Sequence, residues 1–132
     1  MAEIKSCIKN NLASLSFVSD IWSNGLCHNS YLDLTCLYID ENFKLRHQCI
    51  AFRHFPQSHT ADNIFSEFET LGQEFGFDVL DSPFTTDSGA NIKCALKNGI
   101  WQPCFDHTAA YTEMAAAYPI HVHGGVHRIR LL

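Results

Sequence analysis

Asp20 and Asp87 are the residues of this chain best suited to hold a divalent cation. Asp20 falls near the end of one strand-like run, residues 15–22 (LSFVSDIW), and Asp87 closes another, residues 84–87 (FTTD). If those strands lie parallel and adjacent, their carboxyl ends meet, which is where ligand sites of α/β sheets collect. Paired carboxylates are the hard oxygen donors that Mg²⁺ takes. Two ions held about 4 Å apart can activate an attacking water and stabilise the leaving oxygen in phosphodiester cleavage. The plainer role for Asp87 is to cap the helix entered through Ser88, Gly89 and Ala90.

Cys104 and His107, in CFDH, form a second pair with ligating side chains. Structural zinc takes four ligands, and no second pair stands at suitable spacing, so no structural zinc is expected. A buried thiol and a hydrogen-bonded imidazole near a strand end is the plainer account of both. His121, His123 and His127 can take up stray transition metal, as any His-rich segment can. Trp22 and Trp101 read as core or rim packing in preference to base-stacking platforms. His59 and Thr60 read as helix-capping chemistry.

The elements that must position these residues follow from hydrophobic period. Ile4, Cys7, Ile8 and Leu12 recur at helical spacing, which predicts a short N-terminal helix within residues 1–14. Runs rich in β-branched and aromatic residues at 15–22, 31–39 and 43–52 predict three strands. The turn signals Ser23–Asn24–Gly25 and Asp40–Glu41–Asn42 make them an antiparallel meander. The run at 31–39 is nearly continuous in hydrophobicity, which predicts burial on both faces. Ile64, Phe65, Phe68, Leu71 and Phe75 then mark one face of a helix, with Asp62 in its first turn and Gly76 as a C-terminal cap. Extended stretches at 77–80 and 84–87, a helix at 89–97, a strand at 101–105 and an Ala-rich helix at 108–117 complete the order. The fold class is therefore α/β: three antiparallel strands, then parallel strands joined by crossover helices in one mixed sheet. Residues 118–132 (YPIHVHGGVHRIRLL) carry no such pattern and read as an irregular tail.

Composition narrows the function. The 132 residues suffice for one domain, 46% hydrophobic and 17% charged, with no sign of disorder. No apolar run reaches the ~18 residues of a membrane span, and no secretory signal is read at the N-terminus, so an intracellular protein is expected. In that reducing setting the six cysteines are expected as free, buried thiols. Net charge is −5, and the densest basic stretch, residues 44–53, holds three cationic side chains. A domain that grips nucleic acid unaided shows a basic patch, so binding to DNA by this chain alone is expected to be weak. No membrane and no small-molecule cofactor are expected as partners.

Four ordered blocks carry a resemblance: SFVSDIWSNGLCHNSYLDLTCLYIDENFKL, FRHFPQSHTADNI, TTDSGANIKCAL and WQPCFDHT. Together they resemble the hAT transposases, most of all the branch with zinc-finger BED proteins. The resemblance implies a ribonuclease-H-like core, spanning 15–117, that uses an Asp, Asp, Glu triad with Mg²⁺ or Mn²⁺ for DNA cleavage and strand transfer. It places the family's first catalytic acid on Asp20 and its second on Asp87. It places the family's Cys-x-x-His on Cys104 and His107, beside the active site, where they would help position DNA. It also implies a nuclear location.

The family's glutamate lies beyond a large helical insertion, and neither has a counterpart here. Glu113 is the only acid after His107, and its surroundings do not match the family's glutamate block. The expectation is a truncated or domesticated core with weak affinity for divalent metal and no turnover on its own. Two alternatives stand beside it. One is an interaction module that binds related transposase chains or other proteins. The other is a small nuclease in which Asp33 or Glu113 substitutes for the missing acid.

Overall fold

The computed structural model describes residues 1–104 of the chain. The expected helix at 108–117 and the tail at 118–132 lie outside the described residues, as do His107, Glu113 and the three histidines at 121, 123 and 127. The elements run α1 (Ala2–Asn10), β1 (Ser16–Asn24), β2 (Asn29–Ile39), β3 (Leu45–His54), α2 (Ala61–Phe75), β4 (Pro83–Thr86), α3 (Ala90–Ala95) and β5 (Ile100–Pro103). One single-turn 3₁₀ helix, Leu12–Ser14, joins α1 to β1.

The five strands form one sheet in the order β3-β2-β1-β4-β5. β1 to β3 are the expected meander, each antiparallel to the next. β4 then lies parallel to β1, and β5 parallel to β4. This mixed α/β sheet is the architecture anticipated from the order of elements.

Alternation decides which face carries the core. Phe17, Leu32, Leu34, Cys36, Ala51 and Phe84 are buried on one face. Beneath them, α2 presents Ile64, Phe68, Leu71 and Phe75. Phe17 sits between Phe77 (ring centroids 4.2 Å) and Phe84 (5.1 Å), and Phe68 reaches Phe84 at 5.0 Å. Each such fully buried ring contributes about 1.5–3 kcal/mol relative to exposure. Ile8 of α1 joins the same cluster. On β3, Arg53 ties the sheet edge to α2 through Glu67 and Glu74.

Local chemistry explains most boundaries. Thr60 Oγ1 accepts from the Asn63 N–H at the start of α2, and Gly76 ends it in the left-handed region at φ 86°. The β2–β3 turn closes around Asp40, whose Oδ1 accepts from the N–H groups of Asn42 and Lys44. That turn takes up Phe43 and Lys44, so β3 starts two residues later than expected. In the first hairpin the strands pair as far as Asn24 and Asn29, so the turn falls at 25–28 and not at Ser23–Asn24–Gly25.

Three further expectations are corrected. Residues 77–80 form no strand; the Asp78 carboxylate accepts from the Leu80 N–H and bends the chain instead. β2 is buried on one face only: Leu32, Leu34 and Cys36 are covered, while Tyr31, Asp33, Thr35 and Leu37 are partly open. Of the free thiols Cys7, Cys27, Cys36, Cys49 and Cys94, only Cys36 is buried, and Cys27, Cys49 and Cys94 are exposed. Apolar neighbours in sequence do not bury a strand residue whose side chain points off the core face.

Candidate functional site

β1 delivers Asp20 near its carboxyl end. Because Phe17 and Ser19 point into the core, Val18, Asp20 and Trp22 project from the opposite, outer face of the sheet. β4 delivers Asp87 directly after its last residue. The parallel register pairs Phe17 with Phe84 and Val18 with Thr85. Continued two residues further, that register sets Asp20 level with Asp87 at the carboxyl ends of neighbouring strands.

The end of β4 is firmly held. Thr86 is buried, its Oγ1 accepts from Trp101 Nε1 at 2.8 Å, and its carbonyl accepts from the Cys104 N–H at 2.7 Å. Asp87 follows immediately and is half-buried. Its Oδ1 accepts from the Gly89 N–H at 3.1 Å, closing the turn into α3. The capping role considered for Asp87 is therefore realised as a turn, with Gly89 itself at the N-cap position. Oδ2 has no hydrogen bond among the described residues. Cys104 is half-buried and stands next to the backbone of Thr86, one residue from Asp87. Trp101 packs on the core as expected, under the Lys93 ammonium at 5.4 Å.

Each acid has a different nearest partner. Asp20 lies directly across from Asp33 in the β1–β2 register, and its backbone N–H donates to Asp33 Oδ1 at 2.9 Å. Burial pushes the Asp33 carboxyl above the ordinary carboxylate range; the Asp20 N–H opposes the rise and the Asp20 charge adds to it. Asp87 instead lines a cavity of about 220 Å³ with Ile21, His59, Ile64 and the first turn of α3. Asp20 does not line that cavity. The structure thus sets Asp20 and Asp87 on neighbouring strand ends, Asp20 across from Asp33, and Asp87 on the wall of a cavity that His59 also lines.

Asp33 and His59 carried weak sequence signals. Asp33 shares the outer face with Asp20 only once the hairpin register is known, and the turn that sets it lies at 25–28, past the Ser23–Asn24–Gly25 signal. His59 was hidden by Thr60, which does the capping. On the same outer face, Trp22, Tyr31 and Phe52 form a ring cluster with centroids 5.5–6.0 Å apart.

For Mg²⁺ or Mn²⁺ the donors at Asp20, Asp33 and Asp87 are of the right kind, all carboxylate oxygens. Among the described residues, no three His, Cys, Asp or Glu side chains stand close enough to hold an ion as a set. The fit is that of an ion held by one or two carboxylates and otherwise by water.

Comparison with known proteins agrees with this architecture. The family model of the ZBED1 RNase-like domain matches residues 18–98, from β1 through α3. The chain is 32% identical over 108 residues to the transposable element Hobo transposase of Drosophila melanogaster, covering 80% of this chain and 16% of that transposase. The match to the family covers more than half of the chain and contains both strand-end acids. The chain belongs to the ZBED1 RNase-like domain family, within the hAT transposases.

Proposed function

We propose that this chain is a domesticated or truncated hAT transposase core whose ancestral chemistry is divalent-metal-dependent DNA cleavage and strand transfer, and which is inactive on its own. The observation that carries the reading is the level placement of Asp20 and Asp87 on adjacent parallel strands, inside the segment that matches the RNase-like domain. An ion held there would polarise a phosphodiester and activate water. The residues of this chain do the rest: Asp20 and Asp87 hold the ion, and Cys104, with His107, helps to position DNA beside Asp87. Inactivity in isolation is supported by the pairwise distribution of acids, Asp20 with Asp33 and Asp87 with His59. It is also supported by the net charge of −5, which weakens contact with a polyanion. A nuclear location follows from the same reading.

The test is nicking of supercoiled plasmid in Mn²⁺, comparing the natural chain with Asp87→Asn. The expected result is no turnover by either protein, with Mg²⁺ binding weak, in the millimolar range, by calorimetry. Nicking by the natural chain that Asp87→Asn abolishes would establish an active nuclease and overturn the inactive reading.

A second reading, a protein-interaction module, is favoured by the open outer face of the sheet. There Val18, Trp22, Ile39, Leu45 and Phe52 are all exposed, Phe52 at 63%. Trp22 and Phe52 stand together there with Tyr31, and exposed apolar clusters mark binding sites more often than chance.

A further inference from the structure

We propose that His59 is a metal ligand, pairing with Asp87 to seat a divalent transition-metal ion in the cavity between β1, β4 and the first turn of α3. The proposal rests on the reading of Asp87 as a metal-binding acid and adds to it the identity of a nitrogen donor.

Among the described residues, the cavity of about 220 Å³ has two titratable side chains on its walls, His59 and Asp87. Its other walls are Ile21, Ile64 and Ile92 with the first turn of α3, where Asn91 adds an amide side chain. That volume leaves room for an ion and the water ligands a two-residue hold requires.

His59 has no structural task that needs its nitrogens. The cap of α2 is Thr60, and the preceding turn is held by Asn63 Nδ2, which donates to the Ser58 carbonyl at 2.9 Å. The His59 ring packs on the buried Phe55, centroids 5.5 Å apart, and neither ring nitrogen has a hydrogen bond among the described residues. A half-buried imidazole fixed by packing, with both nitrogens uncommitted, is preorganised for ligation. In the same cavity, Asp87 is oriented by the Gly89 N–H on Oδ1, while Oδ2 has no hydrogen bond among the described residues. An orienting hydrogen bond on one oxygen of a carboxylate ligand is the usual outer-shell arrangement. Imidazole with carboxylate is a borderline donor set, better matched to transition metals than to Mg²⁺.

The experiment is a titration of the ¹⁵N-labelled full chain with Mn²⁺, read as paramagnetic broadening of individual amide signals. The natural chain is expected to lose the signals of Gly89 and Ala90 first. His59→Phe keeps a ring on Phe55 and removes both nitrogens. It should raise the Mn²⁺ concentration needed by about tenfold or more, as should Asp87→Asn. Glu41→Gln, in the β2–β3 turn and off the cavity, should not. Mg²⁺ should displace Mn²⁺ from this cavity only at large excess.

Unchanged broadening at Gly89 in a folded His59→Phe protein would overturn the proposal. So would first broadening at Asp20 and Asp33, which would leave the strand-end acids as metal ligands and remove His59 from the site. Absence of local broadening anywhere in the described residues would overturn this proposal and the metal reading of Asp87 together.

Discussion

At the scale of single residues, Asp33 is the clearest departure from what the chain announces. It sits opposite Asp20 on the outer face, and two carboxylates that close resist joint ionisation. Its pKa is raised in the fold, so the protonated form is favoured there relative to the unfolded chain. The stability associated with that shift is complete below the ordinary carboxylate pKa and is lost as pH rises through the folded value. Asp33→Asn keeps an oxygen to accept from the Asp20 N–H and removes the charge. Thermal unfolding should show the variant more stable at pH 7, by roughly 2 °C, and the gain should vanish near pH 3. Asp20 and Asp87 could be singled out from sequence because each closes a recognisable strand. Asp33 could be named as a candidate acid but not placed opposite Asp20, because contact across strands depends on register, and a turn misplaced by a residue or two changes every pairing.

At the scale of elements, α2 is the piece most fully written in the chain. Its apolar spacing, the Asp62 first turn and the Gly76 terminus are all legible, and all three stand in the structure. Gly72 was not legible. It is buried near the end of α2, where a Cβ would fall 2.6 Å from the Phe77 carbonyl oxygen. The Phe77 N–H also donates to the Gly72 carbonyl at 3.0 Å, so the backbone beyond the helix is folded tightly onto it. Gly72→Ala must push that backbone away, with Phe77 and its contact to Phe17. Chemical denaturation should show a loss of about 2 kcal/mol, despite the better helix propensity of alanine. The stretch at 77–80 was expected to be extended because Phe77 and Val79 alternate with polar residues. Both are buried, but in a bend anchored by Asp78, which meets the same burial demand without a strand.

At the scale of the whole molecule, topology was readable and coverage was not. The switch from a meander to alternating strand and helix dictates a mixed sheet, because parallel strands need crossovers. Which face of the sheet is open is obscured in β2, where Tyr31, Leu37 and Ile39 add apolar side chains to the open set and only Asp33 and Thr35 mark it as polar. The described residues place both longer helices' buried side chains in the core cluster and leave the Trp22, Tyr31 and Phe52 rings on the other face. β3 is also the sheet's edge, with Leu45 exposed. If this face is an interaction surface, sedimentation of the purified chain should show concentration-dependent self-association, and Phe52→Glu should abolish it. A chain that stays monomeric at all concentrations would remove the motive for the interaction reading.

The two-residue register between β1 and β4 bears on how the molecule assembles. The meander closes through short turns, at little entropic cost, whereas β4 must return past β3 and the whole of α2 to meet β1. Asp20 therefore lies where pairing costs little loop entropy, and Asp87 beyond the longer closure. The two acids become neighbours only when that long closure is complete. Any ligand that touched both would stabilise the one joint on which the fold's completion depends.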